Sequence, residues 1–233
     1  MSLRERVLEA VGGARWAEVR HFTGHLLLGG SLLEPLAPGQ SLKEIVAECD
    51  LANRAIRISG FSDSGAAWGF SPEFVTIQRD DGGFKGARRG AAPRPFTTPK
   101  DEEELVYLCG LSIWNCMTAP AGLLGPGAQT EELGDWVEHG ETWRRLQVTA
   151  PEGVLAYARE ATMYIGDDGL LRRTDFEVQC GQRLQLADYA SAHQMFSGLT
   201  IPTLHRIVNR AGGAKGVPEP PVLDIEVFDA SFD

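Results

Sequence analysis

His193 is the titratable side chain best placed for chemistry in this chain, and its usefulness depends on which strand faces coincide. The preceding strand carries Leu171-Arg172-Arg173-Thr174-Asp175-Phe176, with Arg173 and Asp175 two residues apart. Residues two apart on a strand share a face. The same rule groups Tyr189, Ser191, His193 and Met195. If those faces meet, Tyr164, Arg173, Asp175 and His193 line one cavity. A neutral-range base, a carboxylate and a fixed cation would then be placed for general acid/base work on a bound molecule. The plainer role for His193 is a hydrogen-bonded side chain that holds the turn at Ser197-Gly198, and it is the leading one.

Other reactive types offer less. His21 and His25 stand four apart, which is ligand spacing on a helix. Their neighbours read as strand, where that spacing is about 13 Å, too far to share a zinc held by bonds of ~2 Å. Cys49, Cys109, Cys116 and Cys180 form no Cys-x-x-Cys pair and read as small buried apolar residues. Cys109 and Cys116 lie about 10 Å apart on a helix, beyond disulfide reach. Ser62-Asp63-Ser64-Gly65 lacks the context of a nucleophile elbow. Gly122 to Gly127 follows a helix instead of opening one, so it makes no phosphate cradle. No metal and no cofactor is expected.

Composition limits the partners. Net charge is −10 with 43% hydrophobic residues over 233 positions. Arg88-Arg89, Arg144-Arg145 and Arg172-Arg173 are isolated pairs, not the basic stripe that nucleic acid requires. No apolar run is long enough to cross a bilayer, and the mixed-charge start Met1-Ser2-Leu3-Arg4-Glu5-Arg6 does not resemble a secretory signal. A cytoplasmic location is the expectation.

The elements that must position these side chains form a β-rich single domain spanning 1–233. Ser2 to Val11 predicts a short amphipathic helix stopped by Gly12-Gly13. Strands are predicted within Arg15–Leu36, Cys49–Phe61 and Phe74–Arg79, then a long Gly/Pro/Arg loop from Gly82 to Phe96. Thr98 as cap, Pro99 and the acids Glu102-Glu103-Glu104 predict the central helix, running to about Met117. A meander follows through Trp136–Val148, Val154–Ile165, Leu170–Cys180, Arg183–Phe196, Leu199–Asn209 and Val222–Phe232. Asp167-Asp168-Gly169 makes its firmest hairpin, and Pro202 suggests an edge or bulge. The five tryptophans, Trp16, Trp68, Trp114, Trp136 and Trp143, read mostly as core packing, while Trp68-Gly69-Phe70 reads as a glycine-containing loop that could instead form a rim.

The order helix, strands, central helix, meander, with Tyr164-Ile165 and Gly169-Leu170-Leu171-Arg172-Arg173-Thr174-Asp175-Phe176, resembles the lipoprotein-carrier-like (LolA-like) fold. His193-Gln194-Met195-Phe196-Ser197-Gly198-Leu199-Thr200-Ile201-Pro202-Thr203 resembles a His-x-x-Phe-x-Gly-Leu-x-x-Pro-Thr pattern of an uncharacterised bacterial group. The resemblance implies an α+β fold, a curved antiparallel sheet forming an incomplete barrel round a central helix. It further implies a small hydrophobic or amphipathic ligand in the concave face, with Trp68, Phe70, Trp114, Tyr164, Arg173, Asp175 and His193 as candidate contacts. Two alternatives stand beside this: an enzyme acting on a small hydrophobic metabolite, and a protein whose sheet edge or groove accepts a partner.

Overall fold

A computed structural model describes residues 1–33, 42–60, 66–79, 81, 83–89, 96–179, 183–210 and 220–233, with backbone only at 42–43 and 85–89. The N-terminal helix α1 (Leu3–Ala10) opens with a reciprocal cap. The Ser2 hydroxyl accepts from the Glu5 amide at 3.3 Å, and Glu5 accepts from the Ser2 amide at 2.7 Å. Two otherwise orphaned amides are satisfied, which fixes the start of a short helix. A 3-10 turn at Gly13–Ala17 follows.

The first half of the sheet is an up-and-down run: β1 (His21–Gly29), β2 (Leu42–Asp50), β3 (Ala55–Ser59), β4 (Ala67–Ser71), β5 (Phe74–Gln78) and β6 (Phe84–Arg89). Helix α2 (Glu102–Thr118) then crosses to β7 (Gln129–Glu138), β8 (Glu141–Thr149), β9 (Glu160–Ile165), β10 (Leu171–Gln179) and β11 (Arg183–Ser191). A small separate hairpin, β12 (Gln194–Phe196) with β13 (Leu199–Ile201), precedes β14 (Leu204–Asn209) and β15 (Leu223–Phe232). Among the described residues the main sheet has 13 strands, in the order β6-β5-β4-β3-β2-β1-β15-β14-β11-β10-β9-β8-β7. Every pairing is antiparallel. Both chain halves are therefore meanders, joined where β15 pairs β1, and the sheet's two edges are the strands on either side of α2.

Alternation decides what faces the interior. On β1, buried Phe22, Leu26 and Leu28 alternate with more exposed neighbours on much of the strand. Ile56 and Ile58 of β3 do the same, with Arg57 outward, as the sequence predicts. Helix α2 has no polar face: 13 of its 17 residues are buried, including every position from Leu105 to Trp114. A helix apolar all round must be enclosed, and α2 packs against β3, β4, β5 and β6. Helix α1 closes the other half, placing Leu3 and Val7 on Leu146, Val148, Met163, Ile165 and Leu171.

Several expectations change. The helix cap is Asp101, whose carboxylate accepts from the Glu104 amide at 2.8 Å, not Thr98. The stretch Gly82–Phe96 holds strand β6, made by backbone pairing to β5 although few of its residues are apolar. Trp68-Gly69-Phe70 is not a rim loop but strand β4. Its alternation sends both aromatic rings toward α2, while Gly69 lies opposite Thr76. The segment Trp136–Val148 is broken by a turn at His139-Gly140, where both residues have positive φ. Pro202 sits in the break between β13 and β14. Ser62 to Gly65, Cys180 and most of the loop from Ala211 lie outside the described residues.

Candidate functional site

The concave face holds a pocket at the C-terminal end of α2. Asn115, Thr118 and Leu123 form one wall, Thr174, Phe176 and Asp188 the sheet floor, and Leu155 with Tyr157 the roof. Its volume is about 30 Å³, space for one or two water-sized groups. Pockets for drug-sized ligands run to some 300–1,000 Å³. An organic molecule must therefore displace something that now fills the interior.

The roof is built as a closed loop. Between β8 and β9 the chain leaves and returns at one point, where the Ala150 amide donates to the Arg159 carbonyl at 2.8 Å. The Arg159 Nε donates back to the Ala150 carbonyl at 3.0 Å. From this neck the loop drops Leu155, Tyr157 and Ala158 onto the core. Tyr157 stacks on Phe176 with centroids 5.0 Å apart, and Phe96 meets Tyr157 edge-on at 4.9 Å. Polar ties also hold the loop, among them the Tyr157 amide to Asn115 Oδ1 at 3.3 Å and Arg54 to the Gly153 carbonyl at 2.8 Å. Such compact Ω-shaped loops have ends that lie close together and are packed by their own side chains.

Beneath the pocket lies a polar pair that the sequence reading did not single out. Asp188 (β11) is 9% exposed and His205 (β14) 1%, and Asp188 Oδ2 meets His205 Nδ1 at 2.8 Å. Burial alone would push the imidazole down. The Asp188 charge and hydrogen bond, with Cys116 of α2 close by, outweigh it and hold His205 well above its ordinary value. Among the described residues the carboxylate's other oxygen, Oδ1, has no hydrogen-bond partner. The signal was present in the alternation: Asp188 and His205 occupy inward positions beside Leu186 and Ile207, where an apolar residue is the rule.

Tyr164, Arg173 and Asp175 do come together, but on the face of the sheet opposite α2. Thr174 and Phe176 point to the pocket, so Arg173 and Asp175 between and beside them point away. Arg173 is 0% exposed. Its Nε and Nη2 donate to the two oxygens of Asp175 at 2.6 and 3.0 Å, and Nη1 donates to Glu138 at 2.7 Å. The guanidinium lies between two rings, 4.8 Å from Tyr164 and 5.2 Å from Tyr189. Tyr164 donates to Asp175 and Tyr189 to Glu138, both at 2.7 Å, and Trp136 donates to Glu138 at 2.8 Å. Burial and the Asp175 carboxylate push the Tyr164 phenol up to about 12. Burial also raises Glu138, but hydrogen bonds from Tyr189 and Trp136 and the charge of Arg173 leave it lowered overall. This is a charge-assisted network whose members hold one another. Its effect is to fasten the β7–β8 hairpin over β10 and β11.

His193 stands apart from that network. It follows β11, with a hydrogen bond to the Leu171 backbone and the charges of Arg172 and Asp168 nearby. Its Nε2 is buried without a partner among the described residues. Burial, aided by Arg172, lowers its pKa to about 4. The geometry therefore does not join His193 to Asp175 and Arg173 as a proton-transfer set. An unfolded histidine titrates near ~6.5, so between that pH and about 4 the unfolded chain binds a proton that the folded chain refuses. Stability contributed by His193 is intact above ~6.5 and falls as pH drops through this window. His205 has the opposite sign, favouring the folded state fully below ~6.5. His193→Gln is expected to remove about 1–2 kcal/mol of the acid-induced loss, a value discounted for partial exposure. Urea midpoints of both proteins at pH 7 and 4.5 measure it, and equal losses would dismiss the assignment.

Trp68, Phe70 and Trp114 all lie in the core around α2. Phe70 meets Tyr107 of the helix edge-on at 5.4 Å. His21 and His25 lie on β1, where His25 Nδ1 is 3.7 Å from Glu44. Cys49, Cys109 and Cys116 are buried free thiols. Burial pushes the Cys109 thiol up to about 12. Among the described residues no group of three His, Cys, Asp or Glu side chains is arranged to hold a metal, and no helix is long and apolar enough to cross a membrane.

No family model and no curated protein sequence matches the chain. Solved structures do. A LolA superfamily protein from Nitrosomonas europaea superposes with TM-score 0.53 at 9% identity, covering 100% of this chain and 94% of that one. A putative outer membrane lipoprotein-sorting protein domain from Vibrio parahaemolyticus gives TM-score 0.52 at 9% identity, covering 99% and 90%. At such identity the likeness is one of architecture. An unclosed antiparallel sheet, an apolar helix seated against it and full-length superposition on two such proteins show that this chain has the lipoprotein-carrier-like, or LolA-like, fold.

Proposed function

We propose that the protein binds an apolar or amphipathic small molecule in the concave face of its sheet, between the strands, α2 and the 150–159 loop. The observation that carries this is α2 itself: a helix apolar on every side, held against a sheet that does not close. Its enclosure leaves a small pocket at one end, under a loop tied down by a few polar contacts. Removing Leu155 and Tyr157 from the core would open that pocket onto the apolar surface of α2. The likeness to a putative lipoprotein-sorting domain is in keeping with an apolar guest, since a lipoprotein carries acyl chains.

In this reading Trp68, Phe70 and Trp114 are walls that an entering chain touches as the helix shifts. Tyr164, Arg173 and Asp175 act from the far face by keeping the β7–β8 hairpin and the β10–β11 floor rigid. The test is native mass spectrometry of untreated protein, followed by titration with decan-1-ol while tryptophan emission is recorded. A retained small-molecule mass, or a saturable emission shift that Trp114→Phe reduces, is the expected result. An empty protein with no saturable shift would refute the reading.

A further inference from the structure

Resting on the binding reading above, we infer that the pocket selects its ligand by the head group, taking an apolar molecule that ends in a neutral hydrogen-bond donor such as a hydroxyl, in preference to a carboxylate. Three observations carry this. The pocket is too small, at about 30 Å³, for anything beyond a head of one or two heavy atoms unless the apolar filling moves. Asp188 lines it at 9% exposure, and its Oδ1 has no hydrogen-bond partner among the described residues while Oδ2 is engaged by His205 at 2.8 Å. Thr174, the neighbouring polar residue of the floor, is buried as well.

An unpartnered buried carboxylate oxygen is an acceptor that asks for a donor, and leaving it unmet is costly. A ligand carboxylate has no proton to give at neutral pH, so it would set acceptor against acceptor at Oδ1 and leave both unmet. An ammonium could donate, but Asp188 already faces the His205 imidazole. A further cation would thus lose its hydration to meet a pair that is close to neutral. A hydroxyl suits the site on both counts: it donates one hydrogen bond and carries no charge.

The experiment uses the intact protein and three probes with one chain length: decan-1-ol, decanoate and decylammonium, at pH 8 and moderate salt. Dissociation constants come from calorimetry or tryptophan emission. Decan-1-ol is expected to bind about tenfold tighter than either charged probe. Asp188→Asn, which can turn an amide donor toward the pocket, should bring decan-1-ol and decanoate within about threefold of each other. Thr174→Val serves as a second variant that leaves the Asp188 acceptor in place, and it should keep the preference for the alcohol. Equal binding of all three probes by the unaltered protein would overturn the head-group inference and leave apolar binding standing. Tighter binding of decanoate, or an unchanged preference in folded Asp188→Asn, would also overturn it. No binding of any probe would overturn both.

Discussion

Arg173→Met is expected to lower the unfolding free energy by about 3–5 kcal/mol. The substitution keeps volume but removes the cation from between Asp175 and Glu138, each within 2.7 Å of a guanidinium nitrogen and each almost fully buried. The two carboxylates are then left facing each other across a dry site, with Arg210 3.2 Å from one of them. Most of the loss comes from that uncompensated charge, not from the absent attraction. Arg173→Met combined with Glu138→Gln and Asp175→Asn should therefore regain much of the stability, since neutral amides need only hydrogen bonds. Denaturant unfolding of the single and triple variants measures both effects. If the triple variant were no more stable than the single one, the network would owe its worth to packing of the two tyrosines.

Gly110→Ala is expected to cost about 1–3 kcal/mol even though alanine favours helix by up to ~1 kcal/mol. A Cβ at Gly110 would overlap the ring of Phe70, whose Cβ and Cδ2 would also lie within 3 Å of it. Neither side can yield easily: Phe70 is locked on β4 and faces Tyr107 of the same helix. The helix must move off the sheet, so the variant should also take up more of a dye that binds exposed apolar surface. Phe70→Ala in the same chain removes the obstacle, and the pair should couple favourably in a double-mutant cycle. Additive losses would show that α2 does not seat through this contact.

The parts of the architecture that were legible in the sequence are those with strong local chemistry. Gly169, with φ near 82°, gives the turn after β9 a conformation that Asp-Gly announces. The length of apolar sequence after three acids marks α2. What escaped reading has a physical reason in each case. Strand β6 is held by backbone pairing, which leaves little mark in its side chains. Strand β7 is exposed along most of its length, so no alternation betrays it. Period-two reasoning joins Arg173 to Asp175 correctly but says nothing about Glu138, thirty-five positions away, which a hairpin carries over them. It also cannot say which face is the concave one, so it places Tyr164 and Arg173 in the cavity although they meet on the side away from the helix. Asp188 and His205 were readable as polar residues in inward positions, a more informative anomaly than any spacing of His193.

Because α2 links β6 to β7, the two free edges of the sheet, it is tethered at both ends to the surface it covers. In the proposed binding it would act toward a guest as a built-in competitor, present at an effective concentration that dilution cannot lower. The affinity that a titration reports is then the intrinsic affinity reduced by the fraction of molecules in which the helix stands aside. Variants that loosen α2 should tighten guests even while they weaken the fold. Under the proposed binding, stability and affinity would thereby be set against each other through this one helix.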